Sequence, residues 1–243
     1  MTQGARTEVR RKSAEALSRA GFSFAEWLPE HDFAQATIRP VGEVLGRFAA
    51  LDVLCLYVSA PEDRFPTPDL QTLADRFALR SHLMPSEAAM LDRGRSEVAE
   101  EQAGRIGWRM ENMVALAWVL GYDTELSFDG SMITGEPLKQ LLAGIVPRDP
   151  EAFAVWSAKA KTRSLAEVFQ MEDLFYCAHN SVRCAQFPAR VHWWRRILGA
   201  RPRRSVPSDF DPVANGGVIH ERRHALTWCL SPGVAWDDTD LST

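Results

Sequence analysis

Residues 106–120 read Ile-Gly-Trp-Arg-Met-Glu-Asn-Met-Val-Ala-Leu-Ala-Trp-Val-Leu, and this stretch decides the fold class. Its apolar side chains recur on every side of a helix rather than along one stripe. A helix that is apolar all round belongs in the centre of a domain, where other elements cover it. The stretch therefore predicts a buried central helix near 106–120, ended by Gly121.

The sequence on either side also favours helices. Apolar residues from Val41 onward follow the helical spacing, although residues 53–58 alone fit either a helix or a strand. Ser164 and Glu167 have the spacing of a capping box, which predicts a long helix from about Leu165. Since no internal repeat or linker divides the chain, residues 1–243 are predicted to form a single all-α domain, one globular multi-helix unit.

Length and composition exclude several classes of protein. The 243 residues, 46% hydrophobic and 25% charged, are typical of an ordinary globular protein. A net charge of −4 argues against a general nucleic-acid binder. The longest uninterrupted apolar run, residues 113–120, is too short to span a bilayer, and the N-terminus lacks the apolar segment of a signal peptide. We therefore expect a soluble, cytoplasmic protein, and the sequence leaves its oligomeric state open.

The last quarter of the chain contains the zinc-protease pattern His220-Glu221-x-x-His224. That chemistry would need both histidines on one metal ion, with Glu221 beside them as general base. Arg222 and Arg223 would place two cations next to the dication, which is electrostatically unfavourable. The histidines also fall on the polar side of the predicted helix, and no third ligand follows at an obvious position. We therefore expect no metal or other cofactor, and His220 and His224 are the residues that would bind a metal if one were present.

Charged residues stand among apolar ones at several predicted helical positions. They occur in the central helix, in a row along the helix that begins near Leu165, and on the core side of the last helix. Because a buried charge must find a partner or lose its charge, these positions predict a buried Arg–carboxylate network. The candidate members are Arg109, Glu111, Asp173, Tyr176, Arg183, Glu221, Arg222 and Asp237.

The predicted network supports two interpretations. In the first, it is structural and fixes how the helices pack, and the protein is a non-enzymatic binding or regulatory protein. In the second, Asp173, His179 and Glu221 are the acid/base or ligand groups of a hydrolase, with or without a metal at His220 and His224. We favour the first interpretation because structural ion-pair networks often shift the pKa values of their members without any catalytic role.

An arginine-rich stretch with interspersed aromatic residues lies within residues 188–215. Such a composition can hold phosphates and stack on bases. It can also lie at an anionic membrane surface, form a protein interface, or be the solvated face of a short amphipathic helix. We expect an acidic protein partner rather than nucleic acid. The arginines of this predicted basic surface are Arg190, Arg195, Arg196, Arg201, Arg203 and Arg204.

Several motifs, in their order and spacing, resemble the domain-of-unknown-function 4272 family, a set of mostly bacterial proteins with no established activity. The motifs are Arg39-x-x-x-Glu43-x-x-x-Arg47, Pro85-x-Glu87, Trp108-Arg109-x-Glu111, Asp173-Leu174-x-Tyr176-x-x-His179-x-x-Val182-Arg183, Val218-x-x-Glu221-Arg222-x-x-Ala225-Leu226-x-Trp228 and Trp236-Asp237. The family pattern does not require histidine at position 220, which implies that the zinc-like pattern is incidental. The resemblance implies no reaction, cofactor or partner. Residues 188–215 lie outside the motifs and are interpreted as a member-specific insertion.

Overall fold

Helices form the framework throughout residues 3–30, 36–187 and 205–243, the part of the chain that this computed structural model describes. Those residues contain no strand, and a 3₁₀-helix at Leu79–His82 lies between the third and fourth α-helices. The all-α fold is therefore confirmed. The α-helices are α1 (Gln3–Arg19), α2 (Val41–Ser59), α3 (Thr67–Arg76), α4 (Pro85–Met90), α5 (Arg95–Gln102), α6 (Ile106–Val119), α7 (Gly135–Ala143), α8 (Pro150–Lys159), α9 (Leu165–Gln186) and α10 (Gly216–Cys229).

The predicted central helix is α6. Most of its residues are buried, and it packs between α2 on one side and α10 on the other. Gly121, just beyond its end, has a φ of +84°, a conformation that favours glycine because other residues place a Cβ against the backbone. The Tyr122 amide then donates to the Ala117 carbonyl at 3.1 Å, which completes a C-terminal cap.

Residues 53–58, which fit both a helix and a strand in the sequence, belong to α2. Every residue from Val44 to Val58 is buried, so α2 is enclosed on all sides by α6, α3, α5 and the 3₁₀-helix. Full enclosure removes the alternation between apolar and polar positions that separates helix from strand in a sequence. The ambiguity of this stretch therefore reflects its deep burial.

The long helix α9 begins with the predicted capping box. The Glu167 amide donates to Ser164 Oγ at 3.3 Å, and the Ser164 amide donates to the Glu167 carboxylate at 2.9 Å. α9 packs against α1 and α10. The main helices are thus neighbours in the order α1, α9, α10, α6, α2. In this order α10 lies between α9 and α6, so its charged side chains can face either one.

Residues 188–204 lie outside the described residues, and with them all six arginines of the predicted basic surface. The rest of the predicted insertion packs on the bundle: the Ser23 amide donates to the Ser205 carbonyl at 2.9 Å, and Phe210 meets Phe22 edge-to-face. None of the helices in the described ranges has both the length and the apolar character that crossing a membrane requires.

Candidate functional site

A buried ion pair joins the two innermost helices. Arg222 of α10 places Nε 2.8 Å and Nη2 2.7 Å from one carboxylate oxygen of Glu111 in α6. The guanidinium also donates to the carbonyls of Ser127 at 2.6 Å and Ser131 at 3.0 Å, and the Ile133 amide donates to the second Glu111 oxygen at 2.7 Å. The pair therefore ties the α6–α7 loop, residues 120–134, to the bundle.

The next residue, Arg223, faces the opposite neighbour, α9. Its Nη1 lies 2.7 Å from Nδ1 of His179, its guanidinium covers the Tyr176 ring at 4.7 Å, and it donates to the Leu241 carbonyl at 2.9 Å. Because a guanidinium only donates, His179 accepts at Nδ1 and carries its proton on Nε2. Burial, reinforced by the positive charge of Arg223, lowers the pKa of His179 to about 3. The imidazole is therefore neutral at physiological pH.

Asp173 pairs with an arginine from the far end of the chain. Arg10 of α1 donates from Nη2 to Asp173 Oδ1 at 2.8 Å and from Nη1 to the Leu28 carbonyl at 3.0 Å. Arg183, expected in the buried network, is instead exposed and lies over the Phe187 ring at 4.6 Å. Its position on α9 faces solvent, although Val182 next to it is buried. Asp173 thus fastens α1 to α9.

A second buried cluster was not predicted from the sequence. Arg47 in α2 and Glu87 in α4 are only 2% and 1% exposed, and Arg47 Nη1 lies 2.5 Å from Glu87 Oε2. Arg109 of α6 reaches the other oxygen of the same carboxylate at 2.8 Å. The available signal was Arg47 itself, an arginine next to a largely apolar stretch that begins at Phe48. Its position predicted a charge that needs a partner, without indicating Glu87.

The residues of the zinc-like pattern face different neighbours. Glu221 is half-buried and accepts from the Asn112 side chain at 2.9 Å rather than from an arginine. The His220 ring meets the His179 ring at 5.1 Å, whereas His224 Nε2 lies 2.9 Å from the Trp236 carbonyl. Within the described ranges, no three His, Cys, Asp or Glu side chains come together as a group that could hold a metal ion.

Asp237 is exposed and lies on the rim of a cavity of about 300 Å³, which we call the Arg–Trp cavity. The buried guanidinium groups in its wall lie over indole rings: Arg39 over Trp228 at 3.9 Å and Arg47 over Trp236 at 4.2 Å. Asp237 therefore borders the cavity from outside rather than belonging to the buried network.

Two larger clefts lie on either side of the α6–α7 loop. The α7 cleft, about 800 Å³, has an apolar floor that includes Leu141 and Ile145. The Phe210 cleft, about 740 Å³, is lined by aromatic rings that include Phe128 and Phe210. The acidic side chains around the two clefts are Asp123, Glu125, Asp129 and Asp209, of which Glu125 and Asp129 border both.

Comparison with known families gives one match. The model of "Domain of unknown function (DUF4272)" matches residues 9–239. The chain belongs to the DUF4272 family. No curated protein and no solved structure matches the chain. Four of the six motifs quoted above contribute residues to the wall of the Arg–Trp cavity, which include Arg39, Glu43, Arg47, Trp236 and Asp237.

Proposed function

We propose that this DUF4272 protein is a non-enzymatic binding or regulatory protein of the bacterial cytoplasm. The supporting observation is that each acid/base candidate has a separate structural partner. Asp173 is held by Arg10, His179 by Arg223, and the Glu221 carboxylate by Asn112. These three groups bridge different pairs of elements and do not converge on one point where a substrate could react.

His179 is a poor base for the hydrolase alternative. With a pKa of about 3, His179 stays neutral and is a weak proton acceptor near neutral pH. Its Nδ1 lone pair is already used by Arg223. A catalytic role would require this contact to break and would leave a buried guanidinium with fewer acceptors, at a substantial free-energy cost.

The two clefts beside the α6–α7 loop are the proposed binding surface. Their volumes are within the range of ligand sites, and each combines an apolar floor with acidic groups. The one arginine in the α7 cleft, Arg222, is neutralised by Glu111, so the local charge is negative. A basic peptide segment of a partner protein fits this chemistry, with one apolar side chain in each cleft and cations near Glu125 and Asp129.

An acidic protein partner for residues 190–204 is a separate proposal. It rests on the sequence of that stretch, with Arg195 and Arg196 between aromatic and apolar residues. The two proposals concern different surfaces and opposite charges. They predict different responses when either the stretch or the clefts are altered.

The cleft proposal can be tested with a fluorescently labelled peptide of alternating arginine and leucine. Gln140→Trp places an indole in the α7 cleft, which Gln140 lines. Lys139→Trp adds the same bulk one position away, at an exposed site outside the cleft lining. We expect Gln140→Trp to weaken binding by about tenfold or more, comparable to the loss of one anchor residue, and Lys139→Trp to leave it unchanged.

Equal binding by the two variants, or no binding by the wild type, would remove the clefts as the site. The enzymatic alternative has its own measurement. Hydrolysis of a panel of ester, amide and phosphoester substrates, lost in a folded His179→Asn variant, would overturn the non-enzymatic proposal. Stoichiometric metal in protein purified without a histidine tag would also favour the hydrolase.

A further inference from the structure

The Arg–Trp cavity is separate from the two clefts and shares no lining residue with them. It lies between the start of α2, the end of the 3₁₀-helix and the C-terminal segment 234–237. At about 300 Å³ it can hold a small molecule but not a folded segment. Its site is therefore independent of the peptide surface proposed above.

The buried charges beside this cavity do not cancel. Glu87 is shared by two guanidinium groups, Arg47 at 2.5 Å and Arg109 at 2.8 Å. Arg39 has its own partner in Glu43 at 2.6 Å. Of these groups, the guanidinium groups of Arg39 and Arg47 and the Glu87 carboxylate are buried, so two buried cations face one buried anion, whereas Glu43 and the rim carboxylate balance the charge from exposed positions. A further anion inside the cavity would compensate the buried excess more closely than these exposed carboxylates do.

Two buried N–H donors in the same wall have no hydrogen-bond acceptor among the described residues. They are Nε of Arg47 and Nε1 of Trp236. The Arg47 guanidinium lies 4.2 Å from the centre of the Trp236 ring system, so the two donors belong to one stacked pair. A buried donor without an acceptor costs about 1–3 kcal/mol, and two in one place indicate a site for an acceptor.

We propose that the Arg–Trp cavity binds a small oxyanion, a carboxylate or phosphate group, which accepts from Arg47 Nε and Trp236 Nε1. Both side chains line the cavity while their two donor nitrogens are buried, so the side chains must turn towards the cavity for the bound group to accept from them. The excess positive charge attracts the anion, and the rings of Trp228 and Trp236 contact its apolar part. Asp237 on the rim repels it and thereby limits the affinity.

The test uses acetate and inorganic phosphate as probes, at constant ionic strength maintained with chloride. Tryptophan fluorescence and the melting temperature are followed as each probe is added. We expect saturable binding of at least one probe in the millimolar range or tighter. Binding of acetate alone would assign a carboxylate, binding of phosphate alone a phosphate group, and binding of both the shared oxyanion chemistry.

Two variants locate the anion. Asp237→Asn removes the repelling charge at an exposed position and is expected to tighten binding about fivefold, as one nearby charge does in a partly hydrated site. Asp238→Asn changes the neighbouring exposed carboxylate, which does not line the cavity, and is expected to have no effect. Equal affinities in these two variants would place the anion elsewhere and overturn the proposal.

Trp236→Phe tests the donor directly. It removes Nε1 and keeps an aromatic ring beneath Arg47, and no hydrogen bond within the protein is lost because Nε1 has no acceptor there. We expect the variant to fold and to bind the anion about tenfold more weakly, the typical effect of one hydrogen bond to a charged group. Unchanged affinity, or absence of binding to the wild type at about 50 mM of either probe, would overturn the proposal. Gln140→Trp should bind the anion normally, so failure of the peptide proposal would leave this one intact.

Discussion

Arg222 and Glu111 are 111 positions apart in the sequence, and two guanidinium nitrogens of one lie within 2.8 Å of a single carboxylate oxygen of the other. Both side chains are almost fully buried. Since Glu111 also accepts from the Ile133 amide, one carboxylate joins α6, α10 and the α6–α7 loop. The contact is therefore a joint between secondary-structure elements rather than an isolated ion pair.

Glu111→Gln is expected to destabilise the protein by about 3 kcal/mol, because breaking a buried pair leaves a charge without its counter-ion. Urea denaturation gives the free energy of unfolding, and hydrogen exchange should show faster exchange in the loop that holds Ser127 and Ser131. Glu8→Gln is the control, since the Glu8–Arg11 pair is exposed and solvent screening should leave stability nearly unchanged. Similar values for the two variants would contradict a structural role for the buried pair.

Asp52 predicts a pH dependence of stability. Burial raises the pKa of this carboxyl to about 7, although Arg148 Nη2 lies 2.7 Å from Oδ2 at an angle outside hydrogen-bond geometry and acts in the opposite direction. The folded protein therefore retains a proton that the unfolded chain releases above its ordinary pKa of about 4. The free energy of unfolding should fall as pH rises from about 4 to 7, by at most roughly 4 kcal/mol, and Asp52→Asn should lack this fall.

The measurement for Asp52 is urea denaturation between pH 4 and 8 on both proteins, with Asp63→Asn at an exposed turn as the control. The difference between wild type and Asp52→Asn should change with pH, whereas the difference for Asp63→Asn should stay constant. Parallel curves for all three proteins would show that Asp52 is ionised in the folded state throughout this range.

His179 predicts the opposite slope at lower pH. Its pKa is lowered to about 3 in the folded protein, whereas the unfolded chain binds the proton near pH 6.5. Its contribution to stability is thus fully present above pH 6.5 and is lost as pH falls towards 3, by up to roughly 5 kcal/mol. His179→Asn keeps an acceptor for Arg223 and should reduce this acid sensitivity. In NMR spectra the ring should remain neutral at pH 5, and a midpoint near 6.5 would contradict the contact with Arg223.

The C-terminal segment is expected to contribute to stability through Arg223, which donates to the carbonyls of Leu241 and Ser242 at 2.9 and 3.3 Å. Deleting residues 241–243 removes both acceptors and should cost about 1–3 kcal/mol, the penalty for leaving buried donors unpaired. Deleting Thr243 alone keeps both carbonyls and should not destabilise the protein. Thermal unfolding of the two truncated proteins decides the matter, and equal melting temperatures would show that the contact contributes nothing.

The sequence predicted helix type and burial well because both depend on local patterns. The composition of residues 106–120 was sufficient to place α6 at the centre, and the Ser164–Glu167 spacing located the start of α9. Partners of buried charges could not be predicted in the same way. The partner of Asp173 is Arg10 on α1, and nothing in either local sequence shows that α1 packs against α9.

Two further differences have the same physical origin. Arg183 continues the helical row of Asp173 and Tyr176, but periodicity does not show which positions of that row other parts of the chain cover. Glu87 looked like an ordinary residue in the first turn of a helix, and its burial against Arg47 depends on α4 packing against α2. Helical spacing assigns residues to a face, whereas tertiary packing determines what that face contacts.

The way Arg223 and Arg47 are held also has a consequence for biosynthesis. Some of their acceptors and stacking partners, Leu241, Ser242 and Trp236, follow the ten α-helices of the described residues and are translated after them. A nascent chain that has just completed α10 would contain cations without their final contacts. Stable closure of the bundle should therefore follow the emergence of residue 242 from the ribosome, and shorter nascent chains should remain sensitive to protease.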